Sequence, residues 1–365
     1  MKKKIAVLAG DGIGPEVMAH TLRVLACVAT QFKHQFEFIE AKIGGQAYES
    51  CQSHCPDETL QICQSADAIL FGSVGGPVAE QHLEKWINCE TNSILKLRQH
   101  FDLSINIRPI CVYPELECYC PLQNNGAIDH INFIIFRELT GGIYFGEHKQ
   151  FLINGQRFAS DESVYDEAKI KQIAHAAFKT AVTRRRKICS VDKANVLATS
   201  KLWRAIMNEV SLDYPEVELT HMLVDNCAMQ IIVNPQQFDV LVTENMFGDI
   251  ISDLAAVLPG SLGLIPSAST SLSGLGLYEP SGGSAPDIAG KDIANPCAQL
   301  LSAAMMLRHS FKMPTEAKVI EDAIKFTIAK GMVTPDIAID KVTSCSTTEF
   351  IDCLIDHIGN VVVST

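Results

Sequence analysis

Apolar residues along the chain fall into two kinds of run that alternate. Short, nearly unbroken runs at residues 5–9, 36–39, 68–72, 188–191 and 238–242 read as buried strands. Between several of them lie longer stretches, 15–30, 166–183 and 201–210, in which apolar residues recur at helical spacing. Further strands are expected leading into residues 106–109 and over 131–136 and 218–224, the last ending in Asp225-Asn226. A short helix over 91–100 has Thr91 or Asn92 as its cap, and helices are expected over 296–309 and through the C-terminal region. Strands alternating with helices predict an α/β fold with a largely parallel sheet. Asn154-Gly155 between apolar flanks marks a hairpin, which is either a plain surface hairpin or an arm that pairs with a second subunit. Residues 259–276, rich in Gly, Ser and Pro, read as a loop.

Length changes this picture first: at 365 residues the chain exceeds what one growing core accommodates, so two domains are expected. A formal net charge of −12 argues against nucleic-acid binding, which needs a basic face to neutralise phosphates. The basic run at residues 184–187 closes a helical pattern, where cations suit the dipole, and reads as a solvated helix end. The first apolar run stops at Asp11, too short for a secretion signal. No run approaches the roughly 18 apolar residues that span a membrane. Thirteen cysteines in a long chain without such a signal are expected to be reduced thiols in a cytoplasm. Cys51, His54, Cys55 and Cys63 lie close in sequence but lack paired C-x-x-C spacing, so they are not read as a zinc site. Gly10, Gly12 and Gly14 follow the first strand, but Pro15 stands where the last glycine of G-x-G-x-x-G belongs, so a tight strand-to-helix turn is the better reading.

The chemistry concentrates at residues 243–253, TENMFGDIISD. Asp249 and Asp253 are four apart and share a helix face, about 5–6 Å apart at Cβ. Two like charges there are favourable when a cation lies between them, and a divalent ion with oxygen ligands fits. Open α/β sheets place ligands at strand ends, and Arg108, Arg137, Lys193, Asp225 and Asp249 all stand at expected strand ends. Together they offer cations for an anionic substrate, carboxylates for a metal, and, with Tyr144, groups for proton transfer.

The segments LAGDGIGPEV, FGSVGGP, LRQHFDLSINIRP, RELTGGIYFG, VDKANVL, TENMFGDIISD and YEPSGGSAPDIAGKDIANP cover the chain from end to end. In that order they resemble the metal-dependent decarboxylating β-hydroxyacid dehydrogenases, the isocitrate/isopropylmalate dehydrogenase family. The resemblance implies a two-domain, non-Rossmann α/β fold with a β-hairpin arm. Residues 1–103 and 260–365 would form a discontinuous cofactor-binding domain, and 104–259 a substrate, metal and dimerisation domain.

It also implies a site. Arg98, Arg108 and Arg137 would hold the two carboxylates of a malate core. Asp225, Asp249 and Asp253 would hold Mg2+ or Mn2+, with Asp225 also meeting the substrate. Lys193 and Asp225 would come from the second subunit of a homodimer with shared active sites. Lys193 would help remove the hydroxyl proton, NAD+ would take the hydride, and Tyr144 would return a proton after CO2 leaves. Gly283, Ser284, Ala285, Asp287, Ile288 and Asn295 would meet the adenosine half of the cofactor, and Gly76 and Glu90 would lie toward its nicotinamide end. Asp287 favours NAD+ over NADP+, because a carboxylate accepts hydrogen bonds from a free ribose hydroxyl and repels a phosphate. Ile94 and Leu95, four and three residues before Arg98, would share its helix face and offer a dry surface. That favours 3-isopropylmalate over isocitrate and a product, 4-methyl-2-oxopentanoate, that is the precursor of leucine.

Overall fold

A computed structural model describes residues 1–122, 131–338 and 343–360. In chain order its strands are Lys2–Gly10 (β1), Gln35–Glu40 (β2), Ala68–Ser73 (β3), Ile105–Cys111 (β4), Asn132–Glu138 (β5) and His148–Ile153 (β6). Gln156–Asp161 (β7), Lys187–Asp192 (β8), Glu218–Leu223 (β9), Val240–Thr243 (β10), Pro266–Thr270 (β11) and Gly276–Pro280 (β12) complete them. The chain divides into two compact units, one of Met1–Leu103, Tyr113–Tyr119 and Pro259–Thr365, the other of Ser104–Val112 and Cys120–Leu258.

In the first unit the strands run in the order β2-β1-β3-β12-β11. β1 pairs in parallel with β2 and β3, and β12 joins β3 in parallel while β11 runs antiparallel to β12. Continuous apolar strands such as β3, buried along its whole length, are what a sheet covered on both faces requires. The helix Gly14–Gln31 follows β1 with Pro15 in its first turn, where a missing N–H costs nothing. It buries Val17, Met18, Val24, Leu25 and Val28 along one stripe. The helix Cys297–His309 is buried through most of its length, packed on β11, β12 and the helix Pro314–Ala329.

β11 corrects the reading of 259–276 as loop. Its sequence, PSAST, has almost no apolar pattern, yet Ser267 and Ser269 are fully buried. Small residues let the covering helix approach, and the Ser302 hydroxyl faces the Ser267 N–H at 3.4 Å. The 91–100 helix also differs from expectation. Thr91–Leu95 forms a π-helical turn that runs into the α-helix Lys96–His100, with no side-chain cap.

In the second unit the order is β4-β5-β10-β8-β9. β4 and β5 are antiparallel; β5, β10, β8 and β9 pair in parallel. One face is closed by the helices Glu167–Val182 and Ala198–Ser211, whose Ile173, Phe178, Trp203 and Met207 join Phe136, Ile188 and Val242 in a single core. β9 ends at Leu223, and Val224–Val233 is a helix that was not anticipated, so Asp225 lies in a first helical turn rather than on a strand end. In the basic run Arg185, Arg186 and Lys187 are exposed, as expected of a solvated helix end, and Arg184 is half-buried. Arg184 Nε meets the buried Asp239 carboxylate at 2.8 Å, and Arg185 donates to the Phe238 carbonyl. β6 and β7 form a separate two-stranded hairpin through Asn154 (φ 51°) and Gly155 (φ 78°), the left-handed pair that Asn-Gly accommodates.

Candidate active site

β5 carries Arg137 at its C-terminal end, and β4 carries Arg108 beside it. Asn106 pairs directly with Arg137 across the strands, so Arg108, two residues on, shares its face. Both arginines are buried. Opposite them starts the helix Asn245–Ala255, capped by the Glu244 side chain, which accepts from the Phe247 N–H at 2.9 Å. Gly248 lets this helix close on the arginine, because a Cβ there would sit 2.6 Å from Arg137 Cγ.

The arginines are held by neighbours that spacing did not reveal. Arg137 Nε and Nη2 donate to Asn245 Oδ1 at 3.1 and 2.8 Å, and its Nη1 meets Asp249 Oδ1 at 2.5 Å. Arg108 Nε donates to Asn106 Oδ1 at 3.0 Å, and its Nη1 to Ser252 Oγ at 2.6 Å and Asp253 Oδ1 at 3.4 Å. Two signals were available in the sequence: Asn245 precedes Asp249 by one helical turn, and Asn106 precedes Arg108 by one pleat. Tyr144, in the short turn after β5, donates its hydroxyl to Asp249 Oδ2 at 2.9 Å. Partial burial and then the Asp249 charge raise the phenol above its ordinary pKa, so it stays a proton donor at neutral pH.

Lys193 and Asp225 form their own pair, Nζ to Oδ1 2.5 Å, with the Asp225 carboxylate exposed. The lysine's hydrogen bond holds the Asp225 carboxyl below the usual range. Asp225, Asp249 and Asp253 do not converge: among the described residues no group of three or more His, Cys, Asp or Glu is placed to hold a metal. His54 bonds the Lys85 carbonyl at 2.9 Å, and burial pushes the Cys55 and Cys63 thiols up to about 11 and about 12.

The remaining expected site residues lie in the first unit. Arg98 is buried and donates from Nη2 to Glu279 Oε1 at 3.0 Å. Ile94 is buried in one core cluster with Leu97, and Leu95 is half-buried. A cavity of about 220 Å³ is lined by Ile13, Leu262, Gly283, Ala285, Ile288 and Asn295. Ser284 is buried against the first glycine turn: its carbonyl accepts from the Ile13 N–H at 2.8 Å. Asp287 is exposed. A Cβ on Gly75 would stand 3.6 Å from Glu90 Oε1 and 3.7 Å from Ser284 Oγ, which puts Glu90 beside that segment. Gly76 is packed against the Trp86 ring. Asp11, unnoticed in sequence, ties the turns together by accepting from the Gly45, Gln46 and Gly75 N–H groups at 2.9, 3.0 and 3.1 Å.

Paired arginines stand against acidic residues at the strand ends of an α/β sheet, where open α/β folds place their ligands. The chain belongs to the isocitrate/isopropylmalate dehydrogenase family, whose model matches residues 4–354. It is 52% identical over 352 residues to a 3-isopropylmalate dehydrogenase of Haemophilus influenzae, covering 94% of this chain and 96% of that one. It is 50% identical over 340 residues to that of Bacillus subtilis, covering 93% and 92%. Among solved structures, the isocitrate dehydrogenase of Methylococcus capsulatus superposes with a TM-score of 0.86 at 33% identity, covering 98% of this chain and all of that one.

Proposed function

We propose that this chain catalyses the NAD+-dependent oxidative decarboxylation of (2R,3S)-3-isopropylmalate to 4-methyl-2-oxopentanoate, a step of leucine biosynthesis, as a homodimer with shared active sites. The observation that carries the reading is the placement of Arg108 and Arg137 on one face of β4 and β5, directly against Asp249, Asp253 and Tyr144. The names of the relatives at about half identity support the choice of substrate.

Arg108 and Arg137, with Arg98, bind the two carboxylates, the planar fork of each suiting two-point pairing. Asn106 and Asn245 hold those forks in orientation before substrate arrives. Asp249 and Asp253 offer an all-oxygen donor set on one helix face, with Asp253 largely exposed, which fits a hard divalent ion. Asp225, which stays apart from them in one chain, completes the set from a second copy together with Lys193. When bound, Mg2+ or Mn2+ would acidify the 2-hydroxyl and offset charge developing on its oxygen, and NAD+ would take the hydride. Lys193 helps remove the hydroxyl proton, and Tyr144 delivers a proton to the carbon from which CO2 departs.

The 220 Å³ cavity with Gly283, Ala285, Ile288 and Asn295 takes the adenosine half of the cofactor. Asp287 selects NAD+ over NADP+, and Gly76 and Glu90 stand toward the nicotinamide. Leu95 is the apolar residue left beside Arg98, and burying the substrate's isopropyl group contributes roughly 2 kcal/mol. An unpaired carboxylate there costs more, which disfavours isocitrate.

The test is NADH absorbance with 3-isopropylmalate, isocitrate, malate and tartrate, each with NAD+ and NADP+. Turnover of 3-isopropylmalate with NAD+ is expected, abolished by chelation and restored by Mg2+ or Mn2+. Turnover of none of the four, or full activity after rigorous chelation, would overturn the reading.

A further inference from the structure

Tyr165 lies between the hairpin and the helix Glu167–Val182, outside every set of residues assigned above to substrate, metal or cofactor. It is buried, and its ring meets Trp203 edge-on, 5.8 Å between centroids, which anchors it in the core of the second unit. Its oxygen reaches the other way. The backbone N–H of Asn245 donates to Tyr165 Oη at 2.9 Å. Asn245 is itself 1% exposed, so that N–H has no water to turn to. The same asparagine receives Arg137 on Oδ1 and donates from Nδ2 to the Gly141 carbonyl at 3.1 Å.

The Tyr165 ring also shapes the turn that delivers Tyr144. A Cβ on Gly141 would stand 2.7 Å from Tyr165 Cε1, and one on Gly142 would stand 2.5 Å from Tyr165 Oη. Gly142 has φ +76°, so the turn needs glycine for its backbone as well as for the space the ring takes. Two acids stand close enough to act on the phenol, Glu138, whose carboxylate accepts from the Thr140 and Gly141 N–H groups, and the capping Glu244. A phenol oxygen can accept as well as donate, and here it accepts the Asn245 N–H. One buried oxygen therefore joins the start of the Asp249 helix to the turn before Tyr144.

Resting on the function proposed above, we infer that Tyr165 is a positioning residue: it fixes the Asn245 turn against the Gly141-Gly142 turn, and so sets where Asp249 meets Arg137 and Tyr144. Tyr165→Phe keeps the ring and removes only the oxygen, leaving the Asn245 N–H buried without an acceptor. The start of the Asn245–Ala255 helix then loses one of its anchors.

The experiment compares wild type, Tyr165→Phe and Tyr214→Phe by kcat for 3-isopropylmalate, by Mn2+ affinity of the cofactor-free protein from electron paramagnetic resonance, and by melting temperature. Tyr214 is the control, because its hydroxyl bonds His175 Nδ1 at 3.0 Å in the same unit without touching the site. For Tyr165→Phe, kcat and Mn2+ affinity are each expected to fall about tenfold, the usual scale for groups that orient metal ligands. Tyr214→Phe is expected to lower the melting temperature alone. Wild-type kcat and Mn2+ affinity in Tyr165→Phe, with or without a lower melting temperature, would overturn the inference. Failure of wild type to turn over 3-isopropylmalate would remove the proposed function instead, and Mn2+ affinity would still decide Tyr165. Should Tyr165→Phe not fold, Gly141→Ala drives a methyl into the same ring, and wild-type kcat and Mn2+ affinity in that variant would equally overturn the inference.

Discussion

Arg137 shows how a site side chain is fixed before it acts. It is 3% exposed, and each of its three guanidinium nitrogens already has an oxygen partner on the facing helix. On the function proposed above, a substrate carboxylate would meet a fork whose plane is set, and little side-chain entropy would be lost on binding. Tyr144 is the phenol within reach of the same aspartate. Tyr144→Phe removes the proton donor but neither the arginines nor the aspartates. Oxidation should proceed near the wild-type rate while protonation after decarboxylation falls by about 100-fold, the usual range for a lost general acid. Supplying the 2-oxo acid intermediate directly separates the steps, and normal processing of it by the variant would refute the role. At this scale the sequence was informative about charge and poor about its supports. Arg108, Arg137, Asp249 and Asp253 stand in readable patterns. Asn106 and Asn245 stand one pleat and one turn from Arg108 and Asp249, but Ser252 and Glu279 stand in no such pattern, because a buried hydroxyl or carboxylate acquires meaning only from the partner that the fold brings to it.

At the scale of elements, regular hydrophobic patterns were read correctly and irregular ones were not. β1, β3, β8 and β10 follow their apolar runs, and the helix Glu167–Val182 follows its spacing. β11 escaped because serines buried under a close helix look polar in sequence. The π turn at Thr91–Leu95 has no signature in the pattern, because helix-face arguments assume a constant angle per residue. The hairpin was legible from Asn154-Gly155 alone. What it does is a separate matter of energetics. An isolated two-stranded hairpin is marginal in water, yet this one is exposed on every residue and displays Phe151, Leu152, Ile153 and Phe158. The Phe151 and Phe158 rings stack on each other at 5.7 Å. Such a surface is stable when a second copy covers it. Phe151→Glu with Phe158→Glu should therefore convert a dimer to a monomer in sedimentation and abolish turnover. The core of the second unit should be unaffected, since neither residue belongs to it. A fully active monomeric variant would contradict the arm's role.

At the scale of the molecule, one chain holds every expected group but does not bring them all together. Asp249 and Asp253 face Arg137 and Arg108, while Lys193 and Asp225 are paired with each other elsewhere in the same unit. The helix that carries Asp225 leaves Met229, Ile232 and Val233 exposed, and its neighbour Asn245–Ala255 leaves Ile250. An apolar surface beside an incomplete carboxylate set is what a site completed by a second subunit predicts. Mixing two variants that each fail to complete turnover tests this without any structure of the dimer. In Lys193→Ala chains the donated lysine is missing; in Tyr144→Phe chains the resident phenol is missing. If the lysine is donated across the interface, a mixed dimer has one site with both defects and one with neither. Random reassortment makes half the dimers mixed, so about a quarter of wild-type activity should return on mixing after mild dissociation. If Lys193 instead serves its own chain, every site in the mixture keeps one defect and no activity returns. Recovery near a quarter, traced by sedimentation to the dimer fraction, would place Lys193 in its partner's site. Absence of recovery in dimers shown to have exchanged would place it in its own.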